Sequence, residues 1–172
     1  MFRFGLKVNM KPVADEILSR WKRLERGAWR QAMAESIAQT IRFSIQKNFD
    51  VGGRYSMKGG EPTGGNRKWE QSYRAKVTGG KTLVNRGVLQ RSIDIRVIRG
   101  GRAIEARSTF PYAAVHHYGA TIKPRRAPYL RFMLADGRWV QTRSVRIPMR
   151  PFLVVQPRDI RQMKAIAAYS VD

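Results

Sequence analysis

From Met33 to Phe49 an apolar residue returns at every fourth position, through Ile37, Ile41 and Ile45, with Ala34 and Ala38 beside the line. Upstream, Val13, Ile17, Trp21, Leu24 and Ala28 follow at three- and four-residue steps. Mixed steps of three and four keep side chains on one face of a helix, whereas a strand needs steps of two. The spacing therefore predicts helix over 12–49, with Gly27 either dividing it or lying within it. Pro12 suits a first helical turn, and Asp15 and Glu16 suit its positive end. "NFDVGG" stops it. A stripe this long has to bury itself against something, so the rest of the chain is expected to supply a packing surface.

Residues 51–80 carry eight glycines in four Gly-Gly pairs. The phosphate-loop spacing, Gly-x4-Gly-Lys followed by Ser or Thr, is absent. The composition predicts a long loop with a short ordered piece around Trp69 and Tyr73, ordering only within an assembly. Beyond it, residues 82–172 read as hairpins and a C-terminal helix. "NRGVLQRSI" predicts a short helix. "SIDIRVI" alternates, "RGGR" turns, and "AIEAR" returns as the partner strand. "PYAAVHHYG" reads as a brief helix or turn closed by Gly119. Asp136-Gly137 signals a second hairpin by a two-residue turn. "SVRIPMRPFLVV" predicts a strand bent by Pro148 and Pro151. Ile160, Met163, Ile166 and Ala167 mark one face of a last helix. The sum is a single α+β domain: N-terminal helices packed on an antiparallel β-sheet, a long Gly-rich loop and a short C-terminal helix.

Chemistry is constrained mainly by what is scarce. The chain has no cysteine, which removes disulfides, thiolate metal sites and Cys nucleophiles. Its two histidines, His116 and His117, are adjacent, and neighbours on a helix project about 100° apart, so they do not share a metal ion easily. No carboxylate stands near them in a catalytic pattern, and no carboxylate cluster suggests a two-metal nuclease. His116 is expected as a buried or interface residue bonded to backbone. No catalytic residue, metal site or cofactor is called. No apolar run approaches the roughly 18 residues of a membrane span, and "MFRFGLKVNM" predicts no cleaved signal.

Charge is abundant. Lys plus Arg number 34 against 12 acids, a net charge of +22. A globule with this excess repels itself and attracts polyanions. "IKPRRAPYLR" and "GRWVQTRSVRIPMR" interleave arginine with Tyr129 and Trp139, a composition suited to phosphate contact and base stacking. No zinc finger, RNA-recognition signature or basic zipper accompanies it. The charge suits contact with nucleic acid or with acidic protein neighbours; non-specific contact with passing or packaged DNA stays open, with Arg125, Arg126, Arg131 and Arg143 as the DNA-facing candidates.

Three blocks in order carry a resemblance. "TLVNRGVLQRSI" (82–93), "FPYAAVHHYGATI" (110–122) and "RIPMRPFLVV" (146–155) resemble those of tailed-phage virion morphogenesis or tail-completion proteins, as in Mu-like and P2-like phages. Trp69 resembles that family's tryptophan in a Gly/Pro-rich loop. Met149, Val154 and Asn85 depart from its usual Ala, Gly and Asp. The resemblance implies a structural virion protein at the head–tail junction, a neck ring, by analogy a hexamer. Its partners would be copies of itself, other neck and tail proteins, and passing genomic DNA, with no membrane. His116 matches the family histidine, which leaves His117 as incidental. Trp69, Tyr112, His116, Tyr118, Pro148, Arg150, Pro151 and Phe152 are the assembly candidates, Arg150 as a fixed ion pair or carbonyl contact. The competing reading is a free non-specific DNA-binding protein.

Overall fold

A computed structural model describes residues 27–169. The expected helical stretch 12–26, with Pro12, Trp21 and the upstream stripe, lies outside the described residues. Helix α1 (Gly27–Asp50) buries Met33, Ala34, Ile37, Ala38, Ile41, Ile45 and Phe49, the face its four-residue steps define. Burying a side chain such as Phe49 or Ile41 is worth about 1.5–3 kcal/mol, and this row is the spine of the core. The helix stops where Gly53 N–H bonds back to the Asn48 carbonyl at 2.8 Å.

Residues 51–80 are more regular than their composition predicts. Strand β1 (Tyr55–Lys58) pairs antiparallel with β2 (Glu61–Gly64), and Lys58 faces Glu61 across Gly59-Gly60. Both glycines have positive φ, +57° and +82°, the backbone a two-residue hairpin turn needs. Gly53 serves another purpose: a Cβ there would lie 2.7 Å from Trp69. The glycine lets the indole close over the end of α1. Helix α2 (Tyr73–Thr78) follows, capped by the Ser72 side chain, which accepts from Ala75 N–H.

Gly87 introduces the short helix α3 (Val88–Arg91), as the sequence predicts. β3 (Ile93–Ile98) and β4 (Ala103–Ser108) form the expected hairpin, in register from Ile93–Ser108 to Ile98–Ala103. α4 (Ala113–Tyr118) ends at Gly119. β5 (Ala120–Ile122) pairs with β8 (Val145–Ile147), and between them β6 (Leu130–Met133) pairs with β7 (Trp139–Thr142). The β6–β7 turn is longer than Asp136-Gly137 suggested. Leu134 and Arg138 remain bonded at 2.8 Å, so Ala135, Asp136 and Gly137 form a three-residue loop, closed by Gly137 N–H to Leu134 O with Gly137 at φ +84°.

Helix α5 (Pro157–Tyr169) starts on a proline, and the Asp159 carboxylate reaches back to Gln156 N–H at 3.1 Å, one half of a capping box. It lays Met163 and Ala167 against α1, as does the β3–β4 hairpin with Ile95 and Ala106. The architecture is α+β, with helices and antiparallel strand pairs. In place of one continuous sheet there are four separate two-stranded pairs among the described residues.

Candidate functional site

Two regions carry the predicted site residues: a buried strap over the core and an exposed ribbon beyond it. The strap is the irregular segment 150–154. Among the described residues it has no strand partner, and side chains meet much of its backbone polarity. Asn48 on α1 donates its amide to Phe152 O (3.0 Å) and Val154 O (2.8 Å). Trp69 Nε1 donates to Pro151 O at 2.9 Å. His117 Nδ1 accepts from the N–H groups of Phe152 (3.3 Å) and Leu153 (3.5 Å), and Arg150 N–H donates to His116 O at 2.8 Å. Pro151 has no N–H to satisfy, which suits a position without a ladder. Phe152 then fills the centre, its ring 5.5 Å from Phe49 and 5.1 Å, nearly perpendicular, from His117.

A polar cluster anchors the base of the strap. Arg54 donates to Asn48 Oδ1 (3.1 Å) and to Ser44 O (2.8 Å), Gln156 donates to Arg54 O (2.7 Å), and the Ser44 hydroxyl bonds the Asp159 carboxylate. The sequence does carry a signal for it: Ser44 and Asn48 lie four apart within the buried face of α1, where polar residues need partners.

Both histidines take part in the strap, His117 more deeply than expected. His117, read as incidental, is 3% exposed and bonded to the strap backbone. Burial pushes its pKa down to about 4, so the ring is neutral, with Nδ1 as the acceptor. His116, expected as a buried or interface residue bonded to backbone, accepts the Arg150 N–H on its own carbonyl, while its buried Nδ1 has no hydrogen-bond partner among the described residues; its pKa is lowered by burial and then by Arg150. Among the described residues no group of three or more His, Asp or Glu could hold a metal ion.

Trp69, Arg150, Pro151 and Phe152 are thus parts of the subunit interior rather than of its outer surface. Arg150 makes a carbonyl contact, Nε to Glu70 O at 2.8 Å. Tyr112 and Tyr118 stay exposed at 60% and 53%, and Pro148 is half-buried.

The ribbon comprises β5 to β8 and their connections. From Tyr118 to Met149 no residue is buried. Arg125, Arg126, Arg131 and Arg143 all lie exposed there. Arg131 sits over the Trp139 ring at 5.0 Å and Arg143 over Tyr129 at 5.7 Å, so two guanidinium groups are held against aromatic faces. Met133 and Trp139, paired across β6–β7, are 60% and 63% exposed. One contact ties the ribbon tip to α2: Tyr73 OH donates to Asp136 (2.6 Å) and accepts from Arg138 (2.7 Å). These bonds hold the Asp136 pKa down to about 2. Nothing in the local sequence around Tyr73 announces a partner 63 residues away.

Residues 9–172 match the model of the phage virion morphogenesis family. The chain belongs to that family. It is also 31% identical, over 147 residues, to the Mu-like prophage FluMu G protein 2 of Haemophilus influenzae, covering 85% of this chain and 82% of the relative. No solved structure matches it. Membership assigns the chain a structural or assembly role in the virion. The three family-like blocks form one neighbourhood: Leu83 and Leu89 of the first, Phe110 and His116 of the second and Arg150 of the third line one cavity, and α4 holds the strap through His116 and His117. No helix among the described residues is long and apolar enough to cross a membrane.

Proposed function

We propose that this chain is a non-enzymatic structural subunit at the head–tail junction, a tail-completion or neck protein that forms a ring, by resemblance of six copies. The observation that carries this is the unburied ribbon from Tyr118 to Met149. Isolated two-stranded pairs are marginal in water, and a ribbon that exposes Tyr129, Met133 and Trp139 gains most from a partner surface. Its seven basic residues, against the single acid Asp136, suit the lumen of a ring through which DNA passes. Copies of itself, other neck and tail proteins and the genome are the partners. Two of the described acids have structural employment: Asp94 pairs with Arg96 and Arg107, and Asp159 caps α5.

A free, non-specific DNA-binding protein is the second reading, and the Arg131–Trp139 stack is the feature that favours it. Deleting the gene from the phage separates the two. Filled heads and unattached tails are expected under the electron microscope. Joined, infectious particles lacking the protein refute the neck reading.

A further inference from the structure

Next to the strap lies an open cavity of about 370 Å³ whose charge is one-sided. Arg74, Arg86, Arg150 and His116 line it, with Leu83, Val88, Leu89 and Phe110 as apolar wall and no carboxylate. Arg150 is 5% exposed, and no acid among the described residues forms an ion pair with it. Its Nε is used on Glu70 O, and the Glu70 carboxylate acts on the guanidinium only from beyond ion-pair distance. Removing a cation from water with its counter-charge held out of contact is unfavourable. Beside it, the buried His116 Nδ1 has no hydrogen-bond partner among the described residues. The Arg74 guanidinium is held by the carbonyls of Lys81 and Val84, which fixes a second positive charge on the wall, and exposed Arg86 stands at the rim.

We propose that this cavity receives one carboxylate, the side chain of an acidic residue on a peptide segment of a neighbouring protein in the virion. A carboxylate accepts from planar guanidinium groups with good geometry, and from His116 in the tautomer that carries its proton on Nδ1. The apolar wall suits a residue flanked by a leucine-like neighbour. Duplex phosphates lie on a convex surface and meet exposed cations such as those of the ribbon, whereas Arg150 is reached only by a group that enters a recess. The inference rests on the assembly reading only for which protein brings the carboxylate.

The test uses the full chain and the capped dipeptide acetyl-Leu-Glu-amide, followed by NMR of the imidazole signals. With two histidines in the chain, a His117→Asn variant separates their signals. Saturable shifts of His116 are expected, absent with acetyl-Leu-Gln-amide. Arg86→Gln lies at the exposed rim and leaves the core intact, and it should weaken binding by about two- to fivefold. No shift, equal shifts with the glutamine peptide, or displacement of the peptide by a short DNA duplex would each overturn the proposal. The deletion phage fails or succeeds independently of this measurement.

Discussion

Acidification should weaken this fold through His117. In the unfolded chain its pKa is near 6.5, and in the fold burial lowers it to about 4. The group therefore contributes its full stability above the unfolded value and loses it as pH falls through that window toward the folded one. Lowering the pH from about 7.5 to about 5 protonates the unfolded imidazole but not the buried one, a cost of roughly 2 kcal/mol by linkage. With a urea m-value of about 2 kcal/mol/M, the midpoint moves down by about 1 M. Other groups titrate too, including His116, so the informative comparison is with His117→Asn. The asparagine oxygen occupies about the place of Nδ1 and can still accept from Phe152 and Leu153 N–H, but it does not protonate. That variant starts less stable, by roughly 1–3 kcal/mol for the lost ring against Phe152. Its further loss between the two pH values should be about 2 kcal/mol smaller than that of the native chain. Urea titrations followed by far-UV circular dichroism give both numbers. Equal losses in the two proteins would refute the assignment of His117 as a buried neutral acceptor.

Asn48→Ala removes two donors to the strap and an acceptor from Arg54, and should cost roughly 2–4 kcal/mol, measured by the same titrations. Gly53→Ala places a methyl group against Trp69 at a backbone φ of +105° and should destabilise by more than about 1 kcal/mol, with a changed tryptophan emission spectrum. Trp139→Ala should leave subunit stability within about 0.5 kcal/mol while reducing incorporation into particles, counted by gel analysis of purified virions. On the proposed neck-ring reading, reversing Arg131 and Arg143 to Glu should impair DNA retention or passage more than self-assembly, read by nuclease sensitivity of packaged DNA beside native mass measurement of the oligomer.

Wherever a local pattern carries its own energy, the sequence determined the outcome by itself. The four-residue steps from Met33 to Phe49 fix which face of α1 is buried, because no other helical rotation hides all five side chains. The alternation of Ile93, Ile95 and Val97 followed by "RGGR" fixes the β3–β4 hairpin, since the partner strand lies next along the chain. The family blocks, short and contiguous, were legible for the same reason. Other features depended on residues far apart in the chain. The glycines of 51–80 look like flexible linker until Trp69 is seen closing on Gly53, and until β1 and β2 are seen turning on Gly59-Gly60. The strap at 150–154 reads as a strand but has no strand beside it among the described residues. Asn48, Trp69 and His117 complete its hydrogen bonds from roughly 100, 80 and 35 residues away. Adjacent histidines of one type could not reveal which is buried, because the packing of α4 on Phe152 makes that choice. Pattern specifies what a segment does with its own neighbours, whereas burial and the pairing of polar groups are properties of the folded whole.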